Sequence, residues 1–427
     1  MLTIGKPRSL RVVEKIEALV IGAGQAGVAM SEHLGKAGIP HLVLERQRIA
    51  ERWRTSRWDS LVANGPAWHD KFPGMDFRGF GPDDFVPKDR VADYLEAYAK
   101  MIDAPIRCGV DVTDIRRNVP GRPGFVVETS HGTIEANYVV VATGAFQNPV
   151  IPALVPESAG LMQIHSNTYR NPAQLREGAA LVVGSGSSGV QIADELLRAG
   201  KRVYLSVGAH DRPPRRYRGR DFVWWLGVLN KWDAEAPPTT DHVTIAVSGA
   251  RGGQTIDFRK LAQQGLTLLG RTDAFQDGAL RFAPDLAKNL ANGDKNYLSV
   301  LDEADAYVKR NGLNLPDDFE ARDIPADPDC VTHPILELNL KDAGITSIIW
   351  ATGFAADYSW LKLDALTESG APKHQRGVAA EPGLYFLGLP WQSRRGSSFI
   401  WGVWHDAKFL ADHMAKQRGY LAYRGAA

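Results

Sequence analysis

Apolar residues along this chain fall into one pattern that occurs twice. The run Ala18 to Ile21 leads into Gly22-Ala23-Gly24-Gln25-Ala26-Gly27, then into the small-residue stretch VAMSEHLGKAG, and a second apolar run, HLVLE, closes on Glu45. A short apolar run, a glycine turn, a helical stretch and a second run predict strand, turn, helix, strand. The order returns at Ala179 to Val183, followed by GSGSSG, the helical stretch VQIADELLRAG and the run RVYLSV from Arg202 to Val207. Two further apolar runs end in Ala-Thr-Gly, VVVATGAFQNP (Val139 to Pro149) and IIWATGF (Ile348 to Phe354). Thr143-Gly144 and Thr352-Gly353 therefore sit at small-residue turns that let backbone pass close to a bound group.

The first of these turns closes the opening module, and the second lies beyond the repeat. The chain is accordingly expected to leave its first domain and return to it: residues 1–168 as the first part, 169–330 as an inserted domain and 331–427 as the returning part. The fold class expected is α/β, with two dinucleotide-binding (Rossmann-like) domains in a glutathione-reductase-like arrangement. Lys231 to Asp329 is less legible; VTIAVSGA and QTIDF suggest short elements, and LAQQGLTLLG a helix and a strand.

Composition narrows the classes. With 427 residues the chain can bury a large core, and 23% charged residues balanced to a formal charge of +1 give no reason to expect a nucleic-acid partner. The two cysteines, Cys108 and Cys330, form neither a metal motif nor a CxxC pair, and no metal site is expected. The N-terminus lacks a secretory h-region, and no apolar run reaches membrane-span length, so the cytoplasm is the expected location without stable membrane insertion. FVWWLGVL (Phe222 to Leu229) reads as core packing, a subunit contact, a substrate-channel wall or a shallow membrane contact; its Trp224-Trp225 pair makes a homodimer one of the expectations.

The glycine spacings carry specific chemistry. Gly22 permits a tight turn, Gly24 lets backbone approach a pyrophosphate, and Gly27 allows helix and strand to pack closely; Gly184, Gly186 and Gly189 repeat the set. Glu45 stands where an acceptor for ribose hydroxyls belongs. The second module has no acid at that place but a basic segment, RPPRRYRGR, so Arg212, Arg215 and Arg216 are candidate clamps for a 2′-phosphate, against the alternative of a solvated basic loop. Two dinucleotides imply a hydride route, FAD in the first module and NADPH in the second.

The motifs GAGQAG and GSGSSG, both ATG segments, WDSLVANGPAWHDKFPG (Trp58 to Gly74) and GLMQIHSNTYRNP (Gly160 to Pro172) together resemble the single-component flavin-containing monooxygenases, nearest to their YUCCA-like bacterial and plant branch. His165, Ser166 and Tyr169 match the HSxxY part of the family linker, whereas Ala159 and Leu161 depart from its usual start. The resemblance implies that Asn64 lies near flavin and nicotinamide and stabilises an oxygenated flavin; read alone, Asn64-Gly65-Pro66 is also a turn signal. It implies a linker role beside the cofactor for His165 and Ser166, and a return to the flavin for Gln392, Ser393 and Gly396. Trp391, Phe399, Trp401 and Trp404 fit a pocket wall or the core equally. The implied activity is NADPH:oxygen monooxygenation through a C4a-(hydro)peroxyflavin, on a small organic substrate at nitrogen or sulfur. Baeyer-Villiger insertion, keto-acid decarboxylation, a quinone-type reductase and a non-enzymatic redox sensor are the alternatives.

Overall fold

Ala18, Leu19 and Val20 are wholly buried because the strand Glu14–Ile21 runs through the middle of a sheet covered on both faces. Ala18 and Val20 face one apolar layer and Leu19 and Ile21 the other, the alternation that makes a doubly covered strand read as one continuous apolar run. The structure is a computed structural model and describes residues 13–120, 122–236 and 243–423. The absence of a leader was read from the N-terminus, where residues 1–12 lie outside that set.

Five strands form the parallel core of the first sheet, in the order Leu384–Phe386, Gly132–Val141, Glu14–Ile21, His41–Glu45, Ile106–Cys108. The helices Gln25–Lys36, Lys88–Met101 and Ile400–Ala422 cover one face, and an antiparallel ribbon, Val112–Arg117 with Phe125–Thr129, covers the other. The second sheet repeats the plan with five parallel strands: Met162–His165, Ile345–Trp350, Ala179–Val183, Val203–Ser206, Thr267–Leu269. Here too the central strand alternates, Ala180 and Val182 toward one layer, Leu181 and Val183 toward the other.

This pairing moves the expected boundaries at 168 and 331. Met162–His165 and Ile345–Trp350 hydrogen-bond to each other and into the second sheet, although both were assigned to the first domain. The second ATG turn thus belongs to the second module, and the chain rejoins the first sheet only at Leu384–Phe386. The two crossings, Asn148–Pro149 and Phe354–Ala355, pair antiparallel as a short ribbon between the sheets.

The FVWWLGV segment is a helix, Phe222–Val228, directed inward. Trp225 is fully buried against Tyr217, Tyr297 and Leu301, and its indole N–H donates to the Tyr217 carbonyl at 3.0 Å. Buried in this way, Trp225 is withdrawn from the subunit contact considered for it. No described helix is long and apolar enough to cross a membrane.

Candidate functional site: two matched glycine cradles

Each sheet ends in the same local device. Gly22 has φ +104°, and a Cβ there would stand 2.6 Å from the Ala142 carbonyl oxygen of the first ATG turn. Gly184 has φ +108°, and a Cβ there would stand 2.6 Å from the carbonyl oxygen of Ala351 in the second. A Cβ on Gly27 would collide with the Gly22 carbonyl, and one on Gly189 with that of Gly184. Glycine is required at all four positions by backbone contacts within the module.

The cradles differ at the middle glycine. Gly24 caps the helix Gln25–Lys36 with no side-chain cap, and its Cβ direction is open space. The helix start therefore leaves backbone N–H groups free for an anion, which fits a dinucleotide pyrophosphate. The Glu45 carboxylate lies against this loop, accepting from the N–H of Ala23 at 2.8 Å and of Gln47 at 2.9 Å, and each oxygen keeps a lone pair for a ribose hydroxyl. Thr143 and Gly144 border the same loop, tied by the Gln147 amide to the Thr143 hydroxyl at 3.1 Å and the Gly144 carbonyl at 2.9 Å. At the second cradle Gly186 looks onto Thr244, 3.2 Å from a Cβ placed there, and the Ser187 hydroxyl donates to the Ile245 carbonyl at 2.8 Å. Chain from the inserted segment lies over that helix start, so a pyrophosphate there requires the segment to shift.

Asn64 stands where the two modules meet. Its carbonyl accepts from Arg215 Nη1 at 2.6 Å, and its side-chain oxygen accepts from Gln191 Nε2 at 3.0 Å. Gln191 also donates to the Val247 carbonyl at 2.7 Å, which fixes its amide orientation and hence that of Asn64. With its oxygen engaged, Asn64 offers its NH2 as donor.

Arg215 and Arg212 are built into the protein interior. Arg215 is 2% exposed, paired through two nitrogens with Asp221 and stacked on Phe85. Arg212 is 3% exposed, held by Asp294 at 2.9 and 2.5 Å and stacked on Tyr297. Both guanidinium groups have carboxylate partners inside the protein, which removes the reason for reading them as phosphate clamps. Arg216, on a two-residue strand paired with Asp221, is exposed.

His165 is buried; Nε2 bonds the Gly353 carbonyl at 2.9 Å, Nδ1 lies 3.2 Å from the Asn167 amide oxygen, and burial lowers its pKa. The Ser166 N–H donates to the Trp350 carbonyl, and the Thr352 hydroxyl donates to the Val150 carbonyl across the crossing ribbon. His165 and Ser166 thus close the end of the second sheet, and Thr352 and Gly353 tie that end to Val150 of the crossing. The Gln392 side chain is turned back on the Leu389 N–H and the Arg376 carbonyl, supporting the turn at Trp391.

Three residues went unnoticed in the sequence. Gln191 and Phe85 hold Asn64 and Arg215 from distant segments. Gln25, inside the glycine motif, donates to the Ser398 carbonyl at 2.8 Å and accepts from the Trp53 indole, linking the first cradle to the start of the helix Ile400–Ala422. Cys108 and Cys330 are free thiols, both with pKa raised chiefly by burial. Among the described residues no group of three or more His, Cys, Asp or Glu could hold a metal ion.

Comparison with known proteins agrees with this architecture. Residues 19–218 match the family model described as pyridine nucleotide-disulphide oxidoreductase. An uncharacterized CzcO-like oxidoreductase of Geobacillus kaustophilus is 36% identical over 404 residues, covering 92% of this chain and 97% of that protein. A probable indole-3-pyruvate monooxygenase of Arabidopsis thaliana, YUCCA1, is 30% identical over 416 residues, covering 93% and 89%. The flavin-containing monooxygenase of Stenotrophomonas maltophilia superposes with a TM-score of 0.66 at 18% identity, over 96% of this chain and 100% of that one.

Proposed function

Because the chain belongs to the FAD- and NAD(P)-binding oxidoreductase superfamily that includes the flavin monooxygenases, we propose that it oxygenates a small organic substrate at nitrogen or sulfur with NADPH and oxygen. The enzyme is a flavoprotein with FAD and NAD(P)H as cofactors. Bound FAD supplies the hydride acceptance and oxygen activation that no side chain here offers. The observation carrying the proposal is the junction at Asn64, where a donor amide is clamped from the second module beside the first.

The remaining assignments concern this chain's own groups. Gly24 and the uncapped N-terminus of the helix Gln25–Lys36 receive the FAD pyrophosphate, and Glu45 its adenosine ribose. Gly184, Ser185 and Gly186 receive that of NADPH once Thr244 and Ile245 have shifted. The Asn64 NH2 donates toward the reacting oxygen; as an amide it orients that atom without surrendering a proton, which suppresses loss of hydrogen peroxide. Trp232 stacks on His69 and packs edge to face against Phe399 and Trp401, an aromatic cluster that offers an apolar wall to a substrate.

A second reading, oxidative decarboxylation of a keto acid, draws on the 30% identity to the Arabidopsis protein named a probable indole-3-pyruvate monooxygenase, whose named substrate is a keto acid. One screen separates them: NADPH oxidation by FAD-loaded protein across amines, sulfides, ketones and keto acids, with hydrogen peroxide measured in parallel. Substrate-dependent oxidation with little peroxide, confined to amines or sulfides, is expected. Peroxide equal to NADPH consumed with every compound overturns oxygen transfer.

A further inference from the structure

Four charged side chains line a pocket outside both glycine cradles: Lys231 and Glu303 neutralise each other at 2.7 Å, whereas Asp211 and Arg395 do not touch. The pocket lies between the helix Phe222–Val228, the long helix Leu286–Asn311 and the turn Arg395–Ser398, with a cavity of ≈ 80 Å³. Phe222, Trp225, Leu226 and Val300 form its apolar wall. Asp211 enters from the second sheet's side and Arg395 from the segment that follows the last strand of the first. Burial raises the Asp211 carboxyl and lowers the Arg395 guanidinium; each feels the other's charge, yet among the described residues they form no direct ion pair. Arg395 Nε and the Asn296 side-chain oxygen are buried without hydrogen-bond partners.

Two desolvated charges of opposite sign, held apart, carry a cost that closing on each other would remove. An occupant bearing both an ammonium and a carboxylate satisfies both at once. A lone anion leaves Asp211 uncompensated, and a lone cation leaves Arg395 so. We propose that this pocket binds a small zwitterion of the amino-acid type, ammonium on Asp211 and carboxylate on Arg395, with an apolar or thioether side chain against Trp225 and Leu226.

The pocket is joined to the first cradle through its own anchor. Arg395 opens the turn whose last carbonyl, that of Ser398, accepts from Gln25 of the glycine motif. As a substrate class this assignment rests on the monooxygenase reading; as a binding site it does not. For a thioether amino acid the reaction balances as one oxygen atom of O2 joining sulfur and the other leaving as water, with NADPH supplying two electrons and one proton as hydride and solvent supplying the second proton, so that NADP+, sulfoxide and water are the products.

The test is calorimetric titration of FAD-loaded protein, without NADPH, by three probes: L-methionine, 4-(methylthio)butanoate lacking the ammonium, and 3-(methylthio)propylamine lacking the carboxylate. L-Methionine is expected to bind at least about tenfold more tightly than either, the lower end for a charge-assisted contact. Asp211→Asn should erase its advantage over the butanoate, and Arg395→Gln its advantage over the amine. Equal affinities, absence of saturable binding, or variants that bind like the parent overturn the proposal. Sulfoxide formation is measured separately. Selective binding with no sulfoxide upholds the pocket and counts against the monooxygenase reading, whereas sulfoxide without selective binding does the reverse.

Discussion

Arg215 donates to the carbonyl of Asn64 at 2.6 Å, across 151 positions of sequence. The contact makes the inserted module a support for a residue of the first. Arg215 is itself fixed by Asp221 and by the ring of Phe85, so the position of Asn64 is set from the second module as well as by its own loop, where Asp70 accepts from the Gly65 N–H at 3.0 Å.

Replacing Arg215 with Gln is expected to destabilise the protein by about 3–5 kcal/mol, because Asp221 is left buried without its counter-charge. Denaturant unfolding measures this. The NADPH-to-NADH preference should stay unchanged, since the guanidinium is not free for a phosphate, while peroxide release per NADPH should rise. A selective loss of NADPH affinity would return Arg215 to the nucleotide.

Arg216 is the arginine of the three that is open to solvent. If the basic segment holds the 2′-phosphate, Arg216→Ala should raise KM for NADPH by roughly tenfold or more and leave that for NADH within about twofold. Equal changes for the two nucleotides would remove Arg216 from the phosphate site.

The middle and last glycines of the first motif should fail differently. Gly27→Ala forces a methyl group into the Gly22 carbonyl and should prevent recovery of folded protein. Gly24→Ala meets no protein atom within 4 Å and should fold, with its defect confined to FAD retention, measured as flavin per chain after gel filtration.

His33 provides a pH test. It is buried against Trp404, ring centroids 4.2 Å apart, and burial lowers its pKa from 6.5 to about 4. The unfolded chain binds the proton more readily than the folded one, so the stability contributed is complete above pH ~6.5 and is lost as pH falls toward 4. Unfolding free energies at pH 7 and pH 5 should differ more for the parent than for His33→Leu, by about 1–2 kcal/mol. Equal pH sensitivity would show that His33 does not titrate in this way.

The local devices were legible because they are written in adjacent residues. Gly22 to Gly27 and Gly184 to Gly189 each bring a strand end, a turn and a helix start within a few positions. The strand exchange was not, because Met162–His165 and Ile345–Trp350 are apolar runs whose sheet is decided by partners far along the chain. The 26-residue helix Leu286–Asn311 was hidden for another reason. Gly293 weakens the helical signal in its middle, and glycine stands there because a Cβ would come 2.6 Å from His210 Nε2. The burial of Arg212 was hidden by distance along the chain: its partner Asp294 lies on that helix, 82 residues away. Asp221, only six residues from Arg215, stood in plain view, but nothing local indicated that both would be buried.

Anaerobic addition of NADPH to FAD-reconstituted protein is the most direct test of the two-cradle account. The account predicts stoichiometric FAD uptake and full loss of the oxidised-flavin absorbance on adding NADPH without oxygen. Protein that refuses FAD, or whose bound flavin stays oxidised under excess NADPH, would contradict it.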